Sequence, residues 1–459
     1  MSAAVIESRS PQAPDDLVVS ATAADRDAVD RAVSVARERA SEWAATPASA
    51  RADALGGAAA AIAAAADELA ALIVREVGKP VAEARGEVAR AVSILRFHGH
   101  AALLPDGDTH PTLPPAAPTA LTLSRRRPRG VAGLITPWNF PLAIPLWKAA
   151  PALAYGNAVV LKPSPDATAT ALRLAELLAP FLPEGLLHVL PGAQEAGDEL
   201  VAQADVVSFT GSTAVGRQVA RRAAERGVPT QCEMGGLNAS IVLPDADVEA
   251  VARVLAAAAM GYAGQKCTAT SRVIVVGDPR PLTEALVEAV AALAVGDPAE
   301  PSTVVGPVIS ASSRDAVIAA AAEGGRVLTG GAALERDGHF VAPTVVDGLA
   351  PDARLAREEV FGPIAAVLSV SSPQDAAALD RAVPYGLVTS VFTRDLDAAL
   401  AFAERLRTGM IRVNQPTSGV DFHAPFGGEG GSSIGPREQG LAARALYTTT
   451  HTIGIGPSV

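Results

Sequence analysis

Apolar residues recur at three- and four-residue spacing between about residues 24 and 101, as in DAVDRAVSVARERASEWA, and this pattern predicts amphipathic helices. One of these helices is expected to end at VREVGKP, where Gly78, Lys79 and Pro80 together form a stop signal. The N-terminal part of the chain is therefore predicted to be a helical lead-in.

The pattern changes after a proline-rich stretch at 104–120. LTLSRRRPRGVAGLI predicts strands on either side of the arginine cluster at 125–129, a run typical of a solvated strand face. NAVVLKPS, LLHVLPG and ADVVSFTGS then predict three short apolar strands, each followed by a segment compatible with a helix. Strands that alternate with helices in this way predict a parallel, doubly wound sheet.

A second alternating region follows residue 235, with strands predicted in ASIVLPD, SRVIVVGD, GRVLTGG, GPIAAVLSV, LVTSVFTRD and GMIRVN. The expected fold class is therefore α/β, with a second α/β domain after the first. The tail from about residue 440 ends in a β-prone run that has no partner nearby in the sequence. We expect this run to pair elsewhere, with another subunit as one option.

Composition narrows the class of protein. A chain of 459 residues is long enough for two or three domains. Its net charge of −11 argues against a broad electrostatic grip on nucleic acid or an anionic membrane. The most apolar stretch, LGGAAAAIAAAADELAAL, is mostly alanine and falls short of the roughly 20 strongly apolar residues of a membrane span. Two cysteines cannot build a disulfide framework, and the start of the chain does not resemble a secretion signal, so we expect a cytoplasmic protein.

Lysine is unusually rare. Of 38 basic residues only four are lysines, namely Lys79, Lys148, Lys162 and Lys266. Where arginine occupies nearly every other basic position, a retained lysine hints at a place that needs a compact ammonium group. Chance retention on the surface is the alternative.

The segment SFTGSTAVGRQVA predicts a strand, a turn framed by Gly211 and Gly216, and then a helix. The N-terminus of such a helix offers free backbone N–H groups to an anion such as a dinucleotide pyrophosphate. The glycine spacing differs from the dinucleotide fingerprint, so this motif alone fits a plain tight turn better.

Two further segments carry candidate chemistry. In CEMGGLNAS, Glu233 stands between Cys232 and Met234, and such an apolar setting is expected to raise the carboxyl pKa towards that of a general base. An ordinary salt-bridged or helix-capping glutamate is the alternative, and Cys232 is expected to be a buried apolar residue. In GYAGQKCTATSR, Cys267 is a candidate nucleophile, with Lys266 expected to make its surroundings electropositive; the alternative is a buried, inert thiol.

These segments occur together with others in a recognisable order: ITPWNFPLAIPLWKAAPALAYGNAVVLKPS, FTGSTAVG, EMGGLN, GQKCTA, EEVFGP, PYGL and APFGG…GPREQG. From about residue 12 to its end, the chain resembles the aldehyde dehydrogenase superfamily. QPTSGVDFH and SSIGPREQG resemble the branch that contains α-ketoglutaric semialdehyde dehydrogenases more closely than the branches that act on betaine or retinal aldehydes.

The resemblance implies an aldehyde dehydrogenase-like fold with three parts. A Rossmann-type NAD(P)-binding domain is expected at 1–108 and 130–235, an α/β catalytic domain at 236–438, and a small β oligomerisation element at 109–129 and 439–459. The implied assembly is a homodimer or a homotetramer.

The resemblance also assigns roles to residues. Cys267 is the implied nucleophile, Glu233 the base that activates water, and Asn139 the donor to the oxyanion, with NAD or NADP as hydride acceptor. The implied cofactor-binding residues are Ile135, Thr136, Trp138, Lys162, Ser164, Gly192, Phe209, Gly211, Ser212, Val215, Glu359 and Phe361. The implied substrate-pocket residues are Phe140, Ile144, Trp147 and Phe426, and no metal is expected.

Departures from the family pattern bear on specificity. Pro165 stands where the family often has an acidic residue beside the cofactor ribose, so NADP is expected to be tolerated, with Lys162 and Ser164 near its 2′-phosphate. Leu237 replaces a common lysine, and GGEGGSS lacks the lysine that usually follows PFGG. Neither change is expected to abolish catalysis.

Three alternatives frame the function. A catalytically silent structural or binding homologue would be expected to lack the nucleophile, base or oxyanion donor. A coenzyme A-dependent acylating enzyme typically lacks the base, whereas this chain has Glu233 at that position. The expected substrate is a small-molecule aldehyde, namely a short oxo-acid semialdehyde such as 2,5-dioxopentanoate. An aromatic or aliphatic aldehyde is the alternative, because the sequence does not identify a cationic anchor for a carboxylate.

Overall fold

The structure, a computed structural model, describes residues 4–111, 120–350 and 352–456. The predicted domain ranges also include residues 1–3, 112–119, 351 and 457–459, which lie outside the described residues. The chain begins with an antiparallel hairpin of β1 (Val5–Ser10) and β2 (Ala13–Thr22).

The predicted helical lead-in is confirmed. It consists of α1 (Arg26–Ala45), α2 (Ala48–Ala64), α3 (Ala66–Val77) and α4 (Val81–Ala101). The Asp25 side chain caps α1 by accepting a hydrogen bond from the Ala28 N–H. Helix α3 ends where predicted, at Gly78, whose φ of 65° is the left-handed conformation that favours glycine at a helix C-terminus.

A six-stranded sheet follows, in the order β19 (Ser433–Ile434), β9 (Thr230–Glu233), β8 (Val206–Thr210), β5 (Val131–Ile135), β6 (Ala158–Lys162) and β7 (Leu187–Val189). Its central strands β5, β6 and β8 are buried at every position, as expected for a parallel sheet covered on both faces. Helices α1 to α5 pack against these strands in one apolar core. The elements of this part are β3 (Thr109–His110), β4 (Leu121–Pro128), β5 (Val131–Ile135), α5 (Ala143–Ala154), β6 (Ala158–Lys162), α6 (Thr168–Leu178), β7 (Leu187–Val189), α7 (Gln194–Gln203), β8 (Val206–Thr210), α8 (Thr213–Glu225) and β9 (Thr230–Glu233).

Strands β5 to β9 pair in parallel, which confirms the predicted doubly wound arrangement.

The second sheet has the order β12-β13-β14-β11-β10-β16-β17, and only its β12 and β13 pair antiparallel. Its elements, and those that follow it, are β10 (Asn238–Val242), α9 (Val248–Met260), β11 (Thr270–Val276), α10 (Arg280–Ala291), α11 (Ala311–Ala322), β12 (Arg326–Thr329), β13 (Thr344–Asp347), α12 (Arg354–Arg357), β14 (Ile364–Val370), α13 (Pro373–Arg381), β15 (Tyr385–Gly386), β16 (Val388–Phe392), α14 (Leu396–Ala403), β17 (Met410–Val413), β18 (Glu429–Gly430), β19 (Ser433–Ile434), α15 (Arg444–Tyr447) and β20 (Thr448–Ile455).

The C-terminal strand confirms one expectation, and the strand with which it pairs corrects another. β20 pairs antiparallel with β4 from Thr448 opposite Pro128 to Ile455 opposite Leu121, so the tail pairs far away in the sequence, as expected, and within its own chain. β4 also runs through the arginine cluster instead of stopping before it. With β3 on the other side of β4, these strands form a separate three-stranded sheet. More than 300 residues separate the two strands, and only the family resemblance grouped 109–129 with 439–459 in one β element.

No single helix within the described residues has the length and hydropathy of a membrane span. Helices α2 and α3, bent by 71° relative to each other, meet that test of length and composition only when taken as a pair.

Candidate active site

The loop that carries Cys267 begins directly after α9. Tyr262 and Ala263 have φ angles of 54° and 53°, in the left-handed region that non-glycine residues rarely adopt. Gly264 follows with a φ of 66°, and a Cβ on it would lie 2.1 Å from the Gly362 carbonyl oxygen. Such a backbone persists only where its surroundings hold it in place, which is common at functional sites.

Hydrogen bonds hold this loop in position. The Gln265 side-chain oxygen accepts from the Ile309 N–H at 2.8 Å, and its amide donates to the Pro307 carbonyl at 3.2 Å. On the other side, the Asn238 amide donates to the Cys267 carbonyl oxygen at 2.7 Å. Asn238 begins β10, so the second sheet anchors the loop at the residue that carries the thiol.

The Cys267 thiol is half-buried and forms no disulfide. Burial raises its pKa, and the carboxylates of Glu359 and Glu233 raise it further. The expected electropositive setting is wrong, because Lys266 turns away and its Nζ donates to Glu83 Oε1 at 2.8 Å. The residues around the thiol therefore favour its protonated form.

Asn139 lies between β5 and α5 and is buried. Its Nδ2 donates to the Gln265 carbonyl oxygen at 3.0 Å, which ties the amide to the cysteine loop. A side-chain amide has two N–H donors, so one remains for a ligand beside that loop. Glu87 fixes the start of α5 by accepting hydrogen bonds from the Leu142 and Ala143 N–H groups, both at 2.9 Å.

Glu233 ends β9 with only 3% of its surface exposed. One carboxylate oxygen accepts a hydrogen bond from Gln231 Nε2 at 2.9 Å, and the other accepts one from Ser433 Oγ at 2.5 Å. Burial, and then the nearby Glu438 carboxylate, raise the pKa of Glu233 well above its ordinary value, as predicted. Cys232 is fully buried, also as predicted.

A buried chain of hydrogen bonds, which the sequence did not reveal, leads away from Glu233. Gln231 bonds to Glu233 and accepts from Ser208 Oγ at 2.8 Å. Ser208 in turn accepts from Lys148 Nζ at 2.8 Å, and Lys148 forms an ion pair with Glu438. The rarity of lysine was the one available signal for Lys148. Three of the four lysines, Lys148 among them, are indeed buried.

At the carboxyl ends of β5 and β6, two buried polar groups are placed to meet a ligand. The Thr136 hydroxyl has no hydrogen-bond partner within the described part of the chain. Lys162 Nζ donates to the Pro163 and Gly192 carbonyl oxygens at 2.6 and 2.9 Å, and burial lowers its pKa to about 8. Ile135 ends β5 immediately before Thr136.

A carboxylate lies close to Lys162 even though Pro165 stands where the family often has an acidic residue. Pro165 begins a single helical turn, and Asp166 Oδ2 lies 3.5 Å from Ser164 Oγ. The Asp166 charge raises the pKa of Lys162, against the larger effect of burial, so the two groups are close.

The predicted strand–turn–helix is confirmed in β8, Gly211 and α8. Ser212 precedes the helix but forms no side-chain capping bond, so the first-turn N–H groups stay available to an anion. Val215 in that turn is 45% exposed, whereas Phe209 at the end of β8 is buried. The Gly211 N–H donates to the Glu233 carbonyl at 3.1 Å and so joins this turn to the candidate base.

Glu359 and Phe361 approach from the second sheet. Glu359 accepts a hydrogen bond from the Gly236 N–H at 3.2 Å, and burial raises its pKa to about 7. Phe361 has a φ of 55°, a strained conformation for a bulky residue. Its ring packs edge-on against Trp138, with centroids 5.8 Å apart.

The predicted pocket residues fall into two groups. Phe426 belongs to a small apolar cluster with Leu387 and Val420, and Cys267 packs against that cluster. Trp147 lies 5.7 Å from Phe426 between ring centroids. Phe140 instead packs over Lys79 and edge-on against Tyr262, and Ile144 is buried within the core around α5.

Comparison with known proteins agrees with this geometry. The aldehyde dehydrogenase family matches residues 1–453. An α-ketoglutaric semialdehyde dehydrogenase of Bacillus subtilis is 39% identical over 407 residues, which cover 85% of this chain and 82% of the relative. An α-ketoglutarate semialdehyde dehydrogenase of Haloferax volcanii is 37% identical over 461 residues, or 97% of this chain and 95% of the relative. An NAD-dependent aldehyde dehydrogenase structure from Sinorhizobium meliloti matches with a TM-score of 0.95 and 33% identity, covering 99% of this chain and 93% of that one.

The chain therefore belongs to the aldehyde dehydrogenase family. It is an NAD(P)-dependent enzyme that oxidises aldehydes, with the α/β fold of that family.

Proposed function

We propose that Cys267 is the nucleophile of this enzyme, that Asn139 stabilises the oxyanion and that Glu233 activates water. The observation that supports this most directly is the hydrogen bond from Asn139 to the Gln265 carbonyl, because it holds an amide donor against the loop that carries the thiol. The raised pKa of Glu233 suits a base that works near neutral pH.

The proposed reaction begins when the Cys267 thiol releases its proton to solvent and the sulfur attacks the aldehyde carbon, whose oxygen becomes an alkoxide. The free N–H of Asn139 donates to that oxygen, and a preorganised donor of this kind favours the charge as it develops. When bound, NAD or NADP in its oxidised form would supply the two-electron oxidant that takes the hydride from this carbon. The carbon is then held on Cys267 as a thioester. Glu233 takes a proton from water as its oxygen attacks, the carbon–sulfur bond breaks, and the acid leaves.

The residues at the carboxyl ends of the strands in the first sheet are suited to binding an NAD(P) dinucleotide. We propose that Lys162 and Thr136 contact the adenosine side, that the first turn of α8 holds the pyrophosphate, and that Glu359 binds the nicotinamide ribose. Tolerance of NADP stays a prediction. Pro165 removes one acidic group, but Asp166 brings a negative charge back near Lys162.

We further propose that the substrate is a short oxo-acid semialdehyde such as 2,5-dioxopentanoate. The names of the Bacillus subtilis and Haloferax volcanii relatives support this class. An uncharged aldehyde is the second candidate, because a geranial and a benzaldehyde dehydrogenase are each 36% identical to this chain and the predicted pocket residues Trp147 and Phe426 are aromatic and contact each other.

A panel of four aldehydes tests the substrate proposal: 2,5-dioxopentanoate, succinic semialdehyde, benzaldehyde and hexanal, each compared by kcat/KM. Preference for the two acids supports it. A tenfold preference for the uncharged pair, about 1.4 kcal/mol of transition-state discrimination, would rule it out while leaving the aldehyde dehydrogenase assignment intact.

We also propose that the chain divides into the predicted domain ranges and assembles as a homodimer or a homotetramer. Assembly is supported by β17 and β20, which lie at the outer edges of their sheets. Light scattering tests it, and a fully active monomer would contradict it. Two free cysteines support a cytoplasmic location.

A further inference from the structure

A substrate that carries a carboxylate gains specificity from a cationic group near its pocket, and Arg90 borders the apolar cluster against which Cys267 packs. Arg90 lies on α4, and its Nη1 donates to the Val420 carbonyl oxygen at 2.7 Å. Val420 itself packs with Leu387 and Phe426, and Cys267 contacts the same cluster. Through the Val420 carbonyl, the Arg90 guanidinium therefore adjoins the cluster against which Cys267 packs.

We infer that Arg90 selects carboxylate-bearing aldehydes by pairing its guanidinium with the carboxylate at the far end of the substrate. The inference rests on the semialdehyde function proposed above and names the residue that would carry that preference.

The unfilled bonding capacity of Arg90 supports this role. A guanidinium has five N–H donors, and within residues 4–111, 120–350 and 352–456 Arg90 has no ion pair and one acceptor, the Val420 carbonyl. Burial lowers its pKa, and the charges of Glu87 and Asp421 oppose that shift. Arginine nevertheless stays protonated near neutral pH. A partly desolvated cation without a counter-ion is well suited to a planar, two-pronged bond with a carboxylate.

The two acidic groups near Arg90 leave room for a substrate. Glu87 is already engaged by the ammonium of Lys79 and by the Leu142 and Ala143 N–H groups. Asp421 is exposed to solvent, where its charge is screened. Neither forms an ion pair with Arg90, so an incoming carboxylate does not have to displace a bound partner.

Substrate length sets how far Arg90 must reach. In 2,5-dioxopentanoate the carboxylate carbon lies four carbon–carbon bonds from the aldehyde carbon, about 5 Å when the chain is extended. The inference therefore requires the guanidinium to come within hydrogen-bond distance of that carboxylate when the aldehyde carbon is at the thiol.

Two variants and a matched control test the inference. Arg90→Gln removes the charge but keeps an N–H that can donate to Val420, and Arg90→Lys keeps the charge but loses the planar fork. Arg85→Gln is the control, since Arg85 lies on the same helix, is exposed, and faces Asp67 at 3.5 Å. The assay measures kcat and KM for 2,5-dioxopentanoate and for hexanal.

For Arg90→Gln, we expect the ratio of kcat/KM for 2,5-dioxopentanoate to that for hexanal to fall at least tenfold, mainly through KM. Arg90→Lys is expected to recover part of the ratio, and Arg85→Gln to keep that of the unmodified enzyme. Equal losses of kcat/KM on both substrates would mean that Arg90 only holds Val420 in place, and they would overturn the inference. An unmodified enzyme that prefers hexanal would overturn the substrate proposal itself, which separates the two failures.

A substrate variant gives a test that does not depend on the folding of any protein variant. The methyl ester of 2,5-dioxopentanoic acid lacks the carboxylate charge but keeps the aldehyde. With the unmodified enzyme we expect at least a tenfold lower kcat/KM for the ester than for the acid. An ester used as well as the acid would overturn the inference.

Discussion

Replacing Glu233 by glutamine removes the proposed base while keeping the shape of its side chain. The carboxylate accepts hydrogen bonds from Gln231 Nε2 and Ser433 Oγ. In Glu233→Gln the carbonyl oxygen can keep the bond from Gln231, and the Ser433 hydroxyl can rotate to accept from the new amide. Because both partners remain satisfied, we expect the variant to fold and to form the thioester.

The size of the expected loss in rate follows from the proposed role of the Glu233 carboxylate as a general base. A positioned general base typically contributes 10²- to 10⁴-fold to rate, which at about 1.36 kcal/mol per tenfold corresponds to roughly 3–5 kcal/mol of barrier. Only the hydrolysis step should carry this loss, since hydride transfer precedes it. The steady-state rate should therefore fall by two to four orders of magnitude.

Stopped-flow absorbance of the reduced cofactor is the assay. We expect a burst of one reduced cofactor per active site, followed by slow turnover. Cys267→Ser is the control, and it should show neither the burst nor turnover. A Glu233→Gln enzyme that keeps its full steady-state rate would refute the reasoning, and so would one that loses the burst together with turnover.

Three further perturbations follow from the same contacts. Ser433→Ala removes a hydrogen bond that lowers the pKa of Glu233, so the pKa should rise and the acidic limb of the kcat–pH profile should move to higher pH; an unmoved limb would contradict this. Asp166→Asn removes a negative charge near the candidate ribose site, so kcat/KM for NADP should rise several-fold relative to NAD, and an unchanged ratio would exclude Asp166 as a discriminating group. Lys148→Met leaves Glu438 buried without its counter-ion and should lower the free energy of unfolding by about 3–5 kcal/mol, measured by denaturant titration; a loss below about 1 kcal/mol would argue against a tight pair.

Features set by neighbouring residues could be predicted from the sequence. The stop at Gly78 depends on a local backbone conformation, and the turn at Gly211 on the order strand, glycine, helix. The raised pKa of Glu233 followed from its apolar neighbours, since burial is the largest cause of the shift.

Contacts between distant parts of the chain could not be predicted in this way. Lys148 and Glu438 are 290 positions apart, and neither local sequence indicates the other as its partner. Lys266 adjoins Cys267 but pairs with Glu83, 183 positions earlier, because the packing of α4 decides where its ammonium finds a carboxylate. Residue type alone suggested the opposite, a cation beside the thiol.

The most direct test of the account is to locate the covalent intermediate. Glu233→Gln enzyme is mixed with NAD and hexanal, quenched with acid, digested and analysed by peptide mass spectrometry, with Cys232→Ala and Cys267→Ser introduced separately as controls. We predict the mass of a hexanoyl thioester on the peptide that contains Cys267, unchanged by Cys232→Ala and absent after Cys267→Ser. An acyl group found only on another residue, or full aldehyde turnover by Cys267→Ser in the otherwise unmodified enzyme, would contradict the account.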